Sequence, residues 1–249
     1  MLLPQDLTLL ALDTATEACS VALLHQGKIT TYAEIAQRTH TQRILPMIDQ
    51  ILTEADIKIN QINGLAFGRG PGSFTGVRVS ASIAQGLAFG CQDGNLPVYP
   101  ISNLTAMAEA AYRQMGVKKV LCAIDARMNE IYFSVLERQE TTTTPTPYSN
   151  WQTIIDEQVL SPEQAIEQIQ NTIKPEQLPE WVTVGTGWQA YPILTTINAQ
   201  KSEVILPSAQ DMLTLSLTAI QQQQQITALE IEPIYLRNQV TWQKLPGRE

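Results

Sequence analysis

Charge is scarce in this chain. Only 16% of its 249 residues are Asp, Glu, Lys or Arg, against about a quarter in an average soluble domain, and glutamine takes up much of the polar role. What charge there is leans acidic, with a net charge of −8. A protein that grips RNA or DNA by itself carries a basic face. The balance here argues against one, and Lys118, Lys119, Lys244 and Arg248 are too few and too scattered to make a patch. Cysteine is scarce too. Cys19, Cys91 and Cys122 lie in or beside apolar runs and form no CxxC, which suits buried free thiols in a reducing compartment. No apolar run approaches the ~18 residues of a membrane span. The opening MLLPQDLTLLALD has no basic segment and meets an Asp too early for a signal peptide. These absences predict a soluble, cytoplasmic protein.

What is present is a sizeable apolar fraction, 44%, on a chain long enough for one large domain or two smaller ones. LTLLALD (Leu7–Asp13), CSVALL (Cys19–Leu24) and KITTYAEI follow one another through tight turns and predict a β-meander. From Thr41 to Ala55 the period changes, with Ile44, Leu45, Ile48, Ile51 and Leu52 at helical spacing. INGLAF (Ile62–Phe67) predicts a strand, then a glycine-rich loop, then a helix to about Phe89. LPVYPI predicts another strand and Asn103–Met115 another helix.

The pattern then repeats. VLCAIDARMNEIYFSVL (Val120–Leu136) mirrors LLALDTATEACSVALL (Leu9–Leu24): an apolar strand, an Asp, a turn, a second apolar strand. The copies stand 112 residues apart, close to half the chain. A half-length repeat predicts two α/β lobes, with a boundary near Gly116. The second half is looser. TTTTPTP (Thr141–Pro147) reads as a Pro-broken loop. Ser161 caps a helix that begins with Pro162. WVTVGTG (Trp181–Gly187) is a strand into a glycine turn, and DMLTLSLTAI (Asp211–Ile220) a helix running into five glutamines. IEPIYLRNQVTWQK reads as a tail laid along a surface.

Asp13 and Asp125 close the first strand of each copy. In actin-like ATPases, paired hairpins bearing Asp flank the nucleotide, and the duplicated layout resembles that superfamily. The two residues are therefore weak candidates for a nucleotide site. Their turns, TATEA and ARMNE, contain no glycine, and a Cβ blocks close approach of backbone to a phosphate oxygen. Glu17 and Glu130 would add negative charge beside that phosphate. The alternative is that both Asp residues only end strands and cap turns.

FGRGPGSFTGVRVS (Phe67–Ser80) looks like a phosphate loop and fails both tests. No glycine is followed at the right distance by Gly-Lys-Ser or Gly-Lys-Thr, and Ser73 stands where a dinucleotide fingerprint needs its third glycine. Ser73 or Thr75 can still cap the next helix. On that helix Gly76, Ser80, Ala84 and Ala88 form a small stripe beside a larger one of Val79, Ile83 and Leu87. Either one stripe faces the lobe's own sheet and the other a partner, or both pack internally. Arg69, Phe74 and Arg78 around the Pro-Gly bend are residue types enriched at interface centres.

Taken in order, ALDTATEACSVALL, HTQRILPMI, GRGPGSFTGVRVSASIAQGLA, DARMNEIYF and the terminal PIYLR closely resemble the TsaB (YeaZ) family of the tRNA threonylcarbamoyladenosine pathway. The resemblance covers nearly the whole chain and is weakest from Thr141 to Asn198. It implies an α/β fold of two actin-like (RNase H-like) lobes. Each would hold a mixed sheet that starts with an antiparallel meander and is flanked by helices. Residues 1–115 would form the first lobe, and residues 116–249 the smaller second lobe with its tail.

The resemblance also implies a non-catalytic subunit with no cofactor. Such a subunit pairs with a larger metal-bearing paralogue, TsaD, is joined by the ATPase TsaE, forms homodimers when alone and meets tRNA only through the complex. The implied contact residues are Arg69, Pro71, Phe74, Thr75 and Arg78, with Ser80 and Ala84 setting a close approach. The paralogue's metal site resembles two histidines four apart on a helix. This chain has only His25 and His40, fifteen apart, and the matching segment ISNLTAMAEA has none, so two imidazoles cannot converge on one ion from one helical turn. Neither a zincin motif nor a Ser/His/Asp arrangement supports peptidase chemistry. The competing expectations are an actin-like ATPase or small-molecule kinase and, third, a tRNA-binding subunit.

Overall fold

The computed structural model describes residues 4–139 and 148–237. The TTTTPTP segment and the chain beyond Arg237 lie outside them. The meander forms as expected. β1 (Leu9–Asp13), β2 (Ala18–His25) and β3 (Lys28–Ile35) pair antiparallel in sequence. Gln26 and Gly27 turn β2 into β3 with φ of 50° and 70°, the left-handed pair that matches the twist of a two-residue hairpin. Helix α1 (His40–Glu54) buries Ile44, Met47, Ile48, Ile51 and Leu52. Leu45, expected on the same face, points outward and is 47% exposed.

β4 runs from Gly64 to Gly70, so the first half of the glycine stretch is strand, not loop. Only Pro71, Gly72 and Ser73 separate it from α2 (Phe74–Gly90). β5 (Val98–Ser102) and α3 (Asn103–Met115) follow, and Gly116, left-handed at φ 70°, ends the helix by donating its N–H to the Tyr112 carbonyl at 2.8 Å.

The second lobe repeats the plan with β6 (Lys119–Arg127), β7 (Glu130–Arg138), β8 (Trp151–Leu160), α4 (Pro162–Thr172), β9 (Val182–Val184), α5 (Gly187–Ala190), β10 (Gln200–Lys201) and α6 (Ala209–Gln221). The sheet orders are β3-β2-β1-β4-β5 and β8-β7-β6-β9-β10, the same topology twice. Both are mixed sheets, with β1–β4 and β6–β9 parallel. Sequence reasoning missed β8. It is a half-exposed edge strand, and its register against β7 shifts between Phe133 and Leu136, so the alternation of period two breaks.

β1 and β2 read as nearly continuous apolar runs because both faces are covered. One face meets α1 and α2 through Leu10, Leu12, Val21, Ile48, Ala84 and Ala88. The other meets α6, where Leu9, Ala11, Ala22 and Ala66 pack on Ala209, Met212, Leu213 and Leu217. Ser20 Oγ on β2 accepts the Ala209 N–H at 3.0 Å at the start of α6. A cut between residues 115 and 116 parts the sheets but not the cores. The three cysteines are buried free thiols, and burial pushes the Cys19 thiol up to about 12.

Candidate functional site

The glycine stretch is sutured to its own fold. A Cβ on Gly72 would stand 2.3 Å from the Ala15 carbonyl oxygen, and one on Gly76 would stand 2.1 Å from that of Thr14. The two glycines let the start of α2 lie backbone against backbone on the β1–β2 turn. Hydrogen bonds close the contact. Ser73 N–H donates to Ala15 O at 2.7 Å, and Thr14 Oγ1 donates to Gly76 O at 2.8 Å. Ser73 is the N-cap, its Oγ accepting Gly76 N–H at 3.0 Å. Gly70 N–H donates to Asn103 Oδ1 at 2.9 Å. The Gly70, Ser73 and Gly76 amides, which a phosphate loop would aim at a ligand, are here committed to the protein itself.

Gly68 serves the neighbouring contact. Its missing Cβ would stand 2.0 Å from Asp13 Oδ1. Asp13 is fully buried. It accepts Asn103 Nδ2–H at 2.8 Å and Ala15 N–H at 3.3 Å, while its second oxygen has no hydrogen-bond partner among the described residues. Burial outweighs these bonds and pushes its carboxyl up to about 6.

Between the lobes lies a cleft of about 430 Å³, walled by Thr16, Glu17 and Ser73 on one side and Asp125, Arg127 and Thr186 on the other. Asp13 is sealed beneath Gly68 and does not line it. Asp125 does, but its carboxylate is engaged. Oδ1 accepts the Tyr191 hydroxyl and the Arg127 N–H, both at 2.9 Å, and Oδ2 pairs with the Arg127 guanidinium at 3.1 Å. Of the two histidines, His40 donates Nε2–H to the Thr16 carbonyl and His25 shares a hydrogen bond with Thr8. Among the described residues no three His, Cys, Asp or Glu side chains gather as metal ligands.

The structure divides the residues expected at a docking face. Phe74, Thr75 and Arg78 are exposed at the start of α2, Phe74 by 60%. The Arg78 guanidinium lies 3.6 Å over the Phe74 ring. With Thr41, Val79 and Ile83 they line a shallow groove of about 370 Å³. Ser80 and Ala84, expected to set the approach of a partner, are instead fully buried against the chain's own sheet. The small stripe is spent on bringing α2 close to β4, and the Val79–Ile83–Leu87 stripe is the half-exposed one. Pro71 is buried. Arg69 turns inward and pairs with Glu157 at 3.1 Å, tying β4 to β8 across the lobes; Ser102 Oγ donates to the same carboxylate.

Asn103, Glu157, Tyr235 and Arg237 were not singled out from the sequence. Tyr235 completes the exposed cluster, its ring 5.8 Å from Phe74 and its hydroxyl accepting Arg78 Nε–H at 2.6 Å. Tyr235 and Arg237 stand in the PIYLR motif, the available signal. Asn103 and Glu157 had none.

A family model described as TsaD, tRNA N6-adenosine threonylcarbamoyltransferase, matches residues 27–244. The tRNA threonylcarbamoyladenosine biosynthesis protein TsaB of Haemophilus influenzae is 58% identical, covering 98% of this chain and 100% of that protein. The Escherichia coli TsaB is 46% identical, covering 97% and 99%. Among solved structures, a Pseudomonas aeruginosa protein described as similar to peptidase YEAZ superposes with a TM-score of 0.81 at 38% identity, over 93% of this chain and 100% of that one. YeaZ from the same organism gives 0.77 at 37%, over 92% and 100%. Among the described residues no helix is long and apolar enough to cross a membrane.

Proposed function

The chain belongs to the TsaB (YeaZ) family, and from that membership we propose that it is a non-catalytic subunit of the machinery that makes tRNA threonylcarbamoyladenosine. The role in that biosynthesis follows the family. In the finer reading, the chain docks on a TsaD-like paralogue that carries the transferase chemistry, and a TsaE-like ATPase drives turnover. The chain dimerises through the same face when alone and reaches tRNA only through the complex. It holds no transferase, peptidase or metal site of its own.

One observation carries this reading. The glycine stretch spends its missing side chains and the Ser73 amide on the chain's own Asp13–Ala15 turn, while Phe74, Thr75 and Arg78 stay exposed beside it. A stretch committed in that way is a scaffold for the face it presents. An exposed aromatic with a stacked arginine is the composition of an interface centre.

The test is reconstitution. The paralogue, the ATPase and unmodified tRNA, supplied with the threonylcarbamoyl donor, are expected to modify tRNA only when this chain is added. The chain alone is expected to turn over nothing. Full modification without the chain would refute the proposal.

The alternative, an actin-like ATPase or small-molecule kinase, has the interlobe cleft in its favour. Against it stand the sealed Asp13 and the engaged Asp125. Hydrolysis of magnesium-ATP by the isolated chain decides for the alternative.

A further inference from the structure

Three of the sequence motifs meet along one segment. Ile226 pairs with Val98 through both backbone hydrogen bonds, at 2.9 and 3.1 Å, on the free edge of β5. Ala228 accepts Gln85 Nε2–H at 3.0 Å, and Ala228 and Ile231 are buried in the core beneath α2. Ile234 N–H donates to the Arg69 carbonyl at 2.9 Å, and Tyr235 joins Phe74 and Arg78. Two residues later the chain has crossed to the other lobe. Arg237 pairs with Glu130 through Nε–H at 3.0 Å and also through Nη2–H. The same nitrogen donates to the Ala126 carbonyl at 3.0 Å and the Arg127 carbonyl at 3.4 Å.

The turn that Arg237 holds is left-handed over three residues. Arg127, Met128 and Asn129 stand consecutively in the left-handed region, at φ of 62°, 55° and 59°, a conformation that Asn adopts readily but that Arg and Met seldom occupy. Arg127 and Met128 also line the interlobe cleft. Between the anchor at Ile234 and the anchor at Arg237 lie only Tyr235 and Leu236. An extended chain gains roughly 3.3 Å per residue, so so short a tether has little slack to absorb movement at either end.

We infer that residues 226–237 are an interlobe strap that couples the Phe74–Arg78 face to the β6–β7 turn: displacing Tyr235 releases the turn and with it one wall of the cleft. The coupling within the chain stands on the contacts above. That a protein partner on the Phe74–Arg78 face would use it rests on the docking proposed in the previous section.

Hydrogen exchange on the full chain, read by mass spectrometry, tests it. The reporter is the peptide spanning residues 124–134; the control is the peptide containing β1. Arg237→Gln removes the anchor on the turn. Tyr235→Ala acts at the far end. Both are expected to speed exchange in the reporter about tenfold and to leave the control unchanged. A reporter at the wild-type rate in Tyr235→Ala, with changes confined to the start of α2, overturns the strap. If Tyr235→Ala also speeds the control, Tyr235→Phe, which loses only the hydrogen bond to Arg78, is judged by the same reporter. With the TsaD-like paralogue added, the reporter is expected to change in the wild type and not in Arg237→Gln. An equal change in both overturns the coupling. Failure of the paralogue to bind either protein counts against the docking face alone, and the strap is then decided by the isolated chain.

Discussion

Asn103 and Asp13, ninety residues apart, share one amide group beneath the glycine stretch. Asn103 Nδ2–H donates to Asp13 Oδ1 at 2.8 Å, and Asn103 Oδ1 accepts Gly70 N–H at 2.9 Å. The side chain is fully buried, so each lost bond leaves a polar group without water. Asn103→Ala is expected to cost about 2–4 kcal/mol in urea unfolding. In a double-mutant cycle with Asp13→Ala, which removes the accepting oxygen, the two changes should couple by about 1 kcal/mol or more. Simple additivity would mean that the shared amide carries no joint energy.

Asp13 also sets a pH dependence. Its carboxyl is raised from 3.8 to about 6 by burial, so the folded protein holds a proton that the unfolded chain has already lost. The stability this group contributes is intact below 3.8 and is lost as pH rises through 6. Asp13→Asn removes the titration. From pH 4 to pH 7.5 the variant is expected to gain on the wild type by about 2 kcal/mol, measured as the difference of two denaturant curves at each pH. A flat difference would place the titration outside this range.

Three glycines are expected to behave in opposite ways. Gly72→Ala and Gly76→Ala place a methyl group against the backbone of Ala15 and Thr14, which cannot yield as a side-chain end would. Each is expected to lose more than about 3 kcal/mol. A Cβ on Gly86, exposed within α2, meets nothing within 4 Å. Gly86→Ala is expected to raise stability by about 0.5–1 kcal/mol, the helix-propensity gain. Thermal melts of the three variants decide the matter, and similar losses in all three would contradict the suture.

Phe74→Ala is expected to weaken binding to the TsaD-like paralogue at least about tenfold, with little loss of stability because the ring is 60% exposed. Titration calorimetry with the purified partner checks it; wild-type affinity would show the face to be misplaced. Ser80→Trp, which the small stripe suggests as an interface probe, is instead expected to unfold the chain, since Ser80 is fully buried on the face of α2 that meets the sheet.

The first meander, the β6–β7 hairpin, most helices and the duplication were legible because they rest on local signals. Alternating or continuous apolar runs, Ser caps and the 112-residue offset need no knowledge of what lies across the fold. β8 was not legible, because its register shifts and half-exposed face erase its period. The orientation of α2 was not legible either: two apolar stripes of different size give no sign of which one meets the sheet, and only the packing on β4 decides. Arg69 was expected to point outward because nothing in its neighbourhood reveals Glu157, 88 residues away. The glycines were visible as a pattern while their cause was not. The Thr14 and Ala15 carbonyls that require them are set by how the β1–β2 turn meets α2.

The placement of α6 has a bearing on how the chain is made. Among the described residues, the face formed by Leu9, Ala11, Ala22 and Ala66 is covered chiefly by residues 209–219, with Ala106, Tyr148 and Trp151 in the same cluster. During synthesis it therefore stays largely bare until residues 209–219 have left the ribosome, so the β1–β5 lobe is completed only after all the strands of the second sheet have been made.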